Sequence, residues 1–283
     1  MSRVCVEAMD NLLDKSFPVL DHGFVRVVDY MGNDTSIVQA ARVSYGSGTK
    51  QINKDKALIN FLMRHQHTSP FEMCEIKLHV KLPIFVARQW VRHRTANVNE
   101  YSARYSVLDN EFFVPEPNDI GKQASSNLQC REGSMSAEKA SWALDIINED
   151  AKRSYESYQK MLDNGVPREL ARIGLGLNFY TQWYWKIDLH NLLRFLRLRL
   201  GQGAQSEIRN YANVITNIVK KWVPMTYDAF ENYQLQSVTI SAKELCLLRD
   251  LLKNKNIDFE KLGMSTGEIN EFKKRFEINV PAL

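Results

Sequence analysis

Residues 74–82, CEIKLHVKL, alternate without a break. Cys74, Ile76, Leu78, Val80 and Leu82 fall on one side, and Glu75, Lys77, His79 and Lys81 on the other. A period of two describes a strand with one covered face, whereas the apolar residues of an amphipathic helix recur at three and four. Carried back to Glu72, the alternation places that acid with the apolar set, where a charge needs a partner such as an arginine. A second strand is expected in NFYTQWYWKI, aromatic on both faces, with Phe179, Thr181, Trp183, Trp185 and Ile187 on one of them. FVRVVDYM, 24–31, reads as another.

Helices fill the intervals. Asp34 or Thr35 is expected to cap a short one through SIVQAARVS, and Asn53 one through INKDKALINFLMRH with Leu58, Phe61 and Leu62 on one face. Pro83 suits the first turn of PIFVARQWVRHR. On that helix Arg88 and Arg92, four apart, share a face, and Arg92 and its successors reach the helix end. The stretch 115–135 is polar and reads as a loop or insertion. A long helix from about Ser136 to Asn164 is stopped by Gly165 and Pro167.

Asp188 is placed to cap DLHNLLRFLRLRL, whose buried stripe is Leu189, Leu192, Leu193, Leu196 and Leu200. Arg199 projects from the margin of that stripe toward the interior, and Arg197 faces solvent. A further helix over 204–222 carries Ile208, Tyr211, Ile215, Ile218, Val219 and Trp222 at helical spacing. Residues 1–232 are thus expected to form the main domain. From about 233 to 283 the chain becomes a small helical appendage, in which Ser241–Glu244 and Ser265–Glu268 match capping boxes.

With 283 residues, 44% hydrophobic and 25% charged, the chain has ample material for a core. No apolar run approaches the roughly eighteen residues of a membrane span, and the N-terminus lacks the apolar stretch of a signal peptide, so a cytoplasmic protein is expected. Cys5, Cys74, Cys130 and Cys246 are scattered without a CxxC pair and are expected to be reduced, packed thiols. His65 and His67 have no second cluster of ligands, so no metal site is expected. GQGAQS, 201–206, lacks the third glycine of a dinucleotide fingerprint and follows a helix, not a strand.

Net charge is +4, modest for a dedicated nucleic-acid binder. The arginines are nevertheless grouped: Arg88, Arg92, Arg94 and Arg104 in one set, Arg168, Arg172, Arg194, Arg197, Arg199 and Arg209 in another. Guanidinium forks suit phosphates and carboxylates, so the groups fit a small anionic ligand as well as surface salt bridging.

One of these groups carries a signature. RHR at 92–94, seven residues and then Ser102 is the RHRX7S pattern of the flavin-dependent thymidylate synthases, and the chain resembles that family. HTSPFE (67–72), PIFVARQWVRHR (83–94), NEYSARYS (99–106), RELARIGLGLNFYTQWYW (168–185) and NLLRFLRLR (191–199) resemble family segments in the same order, across about residues 20–232. The resemblance implies an α/β fold in the α+β sense: a central, mostly antiparallel sheet packed with long helices. It implies reductive methylation of dUMP to dTMP, with methylenetetrahydrofolate as one-carbon donor and FAD, reduced by NADPH, as hydride source. It also implies a homotetramer whose sites combine subunits.

The resemblance places Ser69, Arg92, His93, Arg94, Glu100, Asp188, His190 and Arg194 at flavin-contacting positions. It places Gln89, Arg92 and Arg172 at dUMP contacts, and Glu100, Tyr101, Ser102, Ala103 and Arg104 at the nucleotide site as supplied by another subunit. Arg199 matches the arginine assigned to ionising the uracil N3, a role suited to a guanidinium in a dry site. Ser102 joins Arg199 as a candidate catalytic residue, expected to position dUMP since a serine with no adjacent base is a poor nucleophile, with covalent attack as the alternative. His67 and Glu72 are further candidates for shaping the flavin or folate site. Family members often carry Asn where Asp188 stands, and RADxHAQ where this chain has RLGQGAQ.

Two other readings stand beside this one. A non-catalytic nucleotide- or RNA-binding protein would use the aromatics of NFYTQWYW as stacking platforms. A flavoprotein oxidoreductase without methyl transfer would share the cofactor and not need dUMP. Flavin content separates the first reading, and dUMP-dependent product the second.

Overall fold

In chain order the strands are β1 (Ser16–Val19), β2 (Gly23–Met31), β3 (Glu75–Pro83), β4 (Asn97–Glu100), β5 (Lys122–Gln123), β6 (Arg131–Glu132) and β7 (Tyr180–Asp188). They come from a computed structural model that describes residues 4–43, 52–125, 127–252 and 263–276. The alternating run is β3, at the centre of a five-stranded sheet of order β1-β2-β3-β7-β4 in which every neighbouring pair is antiparallel. Val25 faces Val80 on one side of β3, and Trp183 faces it on the other. One face of the sheet is therefore a continuous apolar layer of Ile76, Leu78, Val80, Val25, Val27 and Trp185, each at most 1% exposed. On the opposite face polar groups pair with one another: Arg26 bonds His79 Nδ1 at 2.8 Å, and His79 Nε2 meets Gln182 Oε1 at 2.9 Å.

The helices of the main unit, residues 1–235, are α1 (Glu7–Asp10), α2 (Asp34–Val43), α3 (Ile52–Arg64), α4 (Ser69–Glu72), α5 (Ile84–Trp90), α6 (Ala137–Asp163), α7 (Arg168–Ala171), α8 (Leu189–Leu200), α9 (Ser206–Trp222) and α10 (Pro224–Phe230). Packing of α5, α8 and α9 around the apolar layer centres on Trp90, which is fully buried. Its ring lies 5.2 Å from Trp185 edge-to-face, 4.7 Å from Phe195, and 5.9 Å from both Trp183 and Tyr211. Each such pair adds about 0.5–1.5 kcal/mol beyond area burial. The expected α+β architecture, with a mostly antiparallel sheet and long helices, is what the chain adopts. No helix among the described residues is long and apolar enough to cross a membrane.

Several local expectations are corrected. Helix α5 stops at Trp90, with Val91 as its C-cap, so Arg92 does not share a helical face with Arg88. The buried indole holds the last turn, and the chain must turn at once to enter β4. Glu72 ends the single-turn helix α4 and is exposed, so the strand alternation does not reach it, and among the described residues no arginine pairs with it. Asp34 is the first residue of α2 but caps a different helix: its carboxylate accepts from Met225 N and Thr226 N, both at 3.0 Å, and from Thr226 Oγ1 at 2.6 Å at the start of α10. The cap of α2 is Asn33, whose Oδ1 accepts from Ser36 N at 3.1 Å while Ser36 Oγ accepts from Asn33 N at 3.2 Å. In α3 the buried residues are Asp55, Ile59, Leu62 and Met63, and Phe61 is exposed. Asn53 lies inside the helix, and its side chain falls outside the described residues.

The stretch 115–135 contains a 3-10 turn (Pro117–Asp119) and the two-stranded ribbon β5–β6. Only Cys74 of the cysteines is buried, and burial pushes its thiol up to about 12; Cys5 and Cys246 are exposed and Cys130 is half-buried. The second unit, residues 236–283, holds α11 (Ala242–Leu252) and α12 (Thr266–Phe276). Both open on the capping boxes read from sequence: Ser241 N donates to Glu244 Oε2, and Ser265 N to Glu268 Oε2.

Candidate active site

Leu189, Leu192, Leu193 and Leu196 pin α8 to the core, which fixes Arg199 at the edge of the buried stripe, half-buried. Its Nε donates to His93 Nε2 at 3.0 Å, and its Nη2 donates to the Gln89 carbonyl at 3.3 Å. His93, the middle residue of RHR, stands edge-on to Phe195 at 4.9 Å. Burial, with the Arg199 and Arg194 guanidiniums nearby, lowers its pKa to about 4. His93 is thus a neutral acceptor at neutral pH, and the tautomer that accepts at Nε2 carries its proton on Nδ1. Burial also lowers the pKa of Arg199, which remains a cation. Gln89 donates from Nε2 to Gln205 Oε1, just before α9.

The loop after RHR is tied to the start of α8. Asp188 caps that helix, accepting from Asn191 N at 2.9 Å and from Asn191 Nδ2 at 2.8 Å. Thr95 Oγ1 donates to Asn191 Oδ1 at 2.7 Å. The helix N-terminus and Asn191 therefore occupy the charge that would otherwise repel a phosphate beside it. Small α4, carrying exposed Ser69, packs on α8, and His190 lines a small cavity there with His67 and Thr68.

A second group forms where β4 leaves the sheet. Glu100 accepts from the buried Thr181 hydroxyl at 2.7 Å, and Tyr101 N donates to the Gln182 carbonyl at 2.8 Å. Ser102 Oγ accepts from Arg104 N at 3.3 Å, Ala103 is buried, and the Arg104 guanidinium lies 3.2 Å from Glu169 on α7. Arg172, half-buried, follows α7 directly. Among the described residues no hydrogen bond or ion pair joins Ser102–Arg104 or Arg172 to Gln89, His93 or Arg199. Among the described residues Arg88, Arg92, Arg94, Arg172, Arg194 and Arg197 make no side-chain hydrogen bond or ion pair, whereas Arg168 and Arg209 are spent on backbone carbonyls.

A cavity of about 800 Å³ lies between α6, the 174–178 turn, β6 and the start of α9, lined by Phe85, Arg131, Ile147, Asn178 and Glu207. None of the family-matched site residues lines it, but Gln205 does. Gln205, Thr95, Asn191 and Thr181 are not among the site residues expected from sequence. Gln205 and Thr181 reach Gln89 and Glu100 across the fold, as Thr95 reaches Asn191, and no local pattern marks these contacts; that of Asn191 with Asp188 is local, within the helix cap.

Residues 26–225 match the family described as thymidylate synthase complementing protein. The flavin-dependent thymidylate synthase of Rickettsia typhi is 55% identical over 287 residues, covering 97% of this chain and 98% of that one. The chain belongs to the flavin-dependent thymidylate synthase family. Its counterpart in Ehrlichia ruminantium (strain Gardel) is 56% identical over 269 residues, covering 95% of this chain and 91% of that one. The UMP/dUMP methylase PolB of Streptomyces cacaoi, solved bound with 5-Br dUMP, superposes with a TM-score of 0.71 at 29% identity, over 78% of this chain and all of that one. The membership expected from RHRX7S and its flanking segments is borne out.

Proposed function

We propose that the protein catalyses the reductive methylation of dUMP to dTMP in the cytoplasm, with methylenetetrahydrofolate as carbon donor and FAD, reduced by NADPH, as hydride source. One observation carries the reading: Arg199, His93 and Gln89, all family-matched, meet through direct hydrogen bonds at the rim of the core. A flavin suits the donor set beside them. Arg92, Arg94 and Arg194 are exposed guanidiniums that pair with no acid among the described residues, the chemistry that takes a dinucleotide pyrophosphate bidentately. When bound, the flavin supplies the hydride that turns the transferred one-carbon unit into a methyl group.

The chain's own residues bind and polarise the nucleotide. Among the described residues Arg199 Nη1 makes no hydrogen bond, which leaves it to the uracil edge where negative charge develops. His93, neutral, accepts from Nε and fixes the plane of the fork. Gln89 and Arg92 hold dUMP from the same side, while Glu100, Tyr101, Ser102, Ala103, Arg104 and Arg172 hold it as contributions of another subunit of a homotetramer. The separation of these two groups within one chain supports that sharing. Ser102 has no histidine or carboxylate within hydrogen-bond reach among the described residues, so it positions the nucleotide and does not attack it. Ser69, Glu100, Asp188, His190 and Arg194 complete the flavin side.

The test is to denature the purified protein and identify the released small molecule by mass spectrometry, then to assay dTMP formation with and without dUMP. FAD release with dUMP-dependent dTMP is expected. No flavin, and no uptake of added FAD, would return the nucleotide- or RNA-binding reading; flavin with NADPH oxidation but no dTMP would leave an oxidoreductase.

A further inference from the structure

The turn between α8 and α9 is weakly specified by its own residues. Gly201 and Gly203 both have ordinary backbone angles, and a Cβ at Gly203 would meet nothing within 4 Å. Gln205, at the N-cap of α9, makes no side-chain capping bond. Glycine-rich backbone without a cap is the loosest start a helix has. Yet this turn carries Gln205, whose side chain accepts from Gln89.

What steadies it comes from the ribbon. Arg131 on β6 donates from Nη1 to Glu207 Oε1 at 3.0 Å and from Nη2 to Ser206 Oγ, with Asp119 at 3.7 Å behind it. Glu207 is 3% exposed, and Arg131 is its only hydrogen-bond or ion-pair partner among the described residues. Beside it Cys130 Sγ donates to the Gly203 carbonyl at 3.8 Å, and Arg209 donates to the Gln202 and Ala204 carbonyls. A buried carboxylate with one partner keeps that partner in place, because losing it leaves an uncompensated charge. Arg131 holds Ser206 and Glu207; directly before them in the chain Gln205 accepts from Gln89, whose carbonyl accepts from Arg199.

We infer that Arg131 is a positioning residue for nucleotide binding, clamping the first turn of α9 so that Gln205 holds Gln89 in its binding geometry. The inference rests on the reading of Gln89 as a dUMP contact. Arg131 itself touches no substrate. Its loss releases the turn, which weakens nucleotide binding and leaves the chemistry of bound dUMP intact.

The experiment uses the full-length holoenzyme and compares Arg131→Ala, Arg131→Lys, Ser206→Ala, Gln89→Ala and the double variant Arg131→Ala/Gln89→Ala. The dUMP KM of Arg131→Ala should rise roughly three- to tenfold, with single-turnover rate at saturating dUMP within about twofold of the parent and an unchanged flavin spectrum. Arg131→Lys, which keeps the charge but not the fork, should fall between. In the double variant KM should rise no further than in Gln89→Ala, since both changes cut one chain of contacts. A merely structural role would lower the thermal midpoint and leave KM alone, in the parent and in the Gln89→Ala background alike. If Arg131→Ala does not fold because Glu207 is left bare, Arg131→Lys and Ser206→Ala are read by the same criterion. Unchanged KM in the Arg131 and Ser206 variants, with a raised KM in Gln89→Ala, overturns the inference and leaves the proposed function standing. Unchanged KM in Gln89→Ala removes the nucleotide contact on which the inference depends and overturns it with that assignment.

Discussion

Arg199 and His93 lie 106 residues apart in the chain and share one hydrogen bond, in which the histidine accepts. Because its folded pKa, about 4, lies below the ordinary value of 6.5, the unfolded chain binds the extra proton first. Stability from this group is therefore complete above about pH 6.5 and is lost as pH falls toward 4. A His93→Asn variant should show a flatter fall in thermal midpoint across that window than the parent. Parallel curves would mean that His93 does not titrate as placed. Arg199→Lys keeps the charge and loses the planar fork; a charge-assisted bond in a dry site is worth about 1.5–3 kcal/mol, so single-turnover dTMP formation should fall at least about tenfold while FAD remains bound. An unchanged rate would make Arg199 peripheral. RHR and Arg199 were legible as motif residues, and the inward lean of Arg199 followed from helical spacing. Their pairing was not, because it depends on how α8 crosses the segment after α5.

Strand β3 was readable because alternation records burial directly, α8 and α9 because their apolar stripes do the same for helices, β7 because its aromatic residues favour a strand, and α6 from the Gly165 and Pro167 that stop it. Helix ends were less so. Nothing local distinguishes the end of α5 at Trp90 from a continuation through RHR, since what stops it is tertiary: the indole packed against Trp185 and Phe195 and the pull of β4 toward β7. Asp34 illustrates the same limit, looking like a cap for its own helix and serving α10 instead. Asp34→Ala would leave Met225 N, Thr226 N and Thr226 Oγ1 without their acceptor, in a region where Thr226 is fully buried. A loss of about 2 kcal/mol in denaturant unfolding is expected, with Asp34→Asn milder. A change under about 0.5 kcal/mol would show that water replaces the carboxylate.

At the scale of the molecule the matched residues fall into two groups that no hydrogen bond or ion pair joins among the described residues, one at α8 and the RHR loop, the other between β4 and Arg172. Order along the chain did not forecast this division. If one site draws each group from a different chain, mixing inactive Arg104→Ala and Arg199→Ala proteins should restore part of the dTMP activity once subunits exchange. Exchange confirmed by mass labelling, with no recovery, would count against shared sites. The second unit, 236–283, was legible as helical from its capping boxes, but its sequence carries no residue with a chemical role to assign.

The sheet order has a consequence for how long each part of the fold stays shut. Amides of β3 are bonded between two neighbours, while β4, four residues long and exposed throughout, hangs on β7 alone. Hydrogen exchange should accordingly be slowest in β3 and fast from Asn97 through Tyr101, by brief local openings that leave the core closed. The nucleotide would then meet a segment that detaches and re-forms many times within the lifetime of the sheet, and adding dUMP should lengthen the protection of Tyr101 while leaving that of β3 unchanged. Equal protection of β3 and β4 in the free protein would mean that the edge is as durable as the centre.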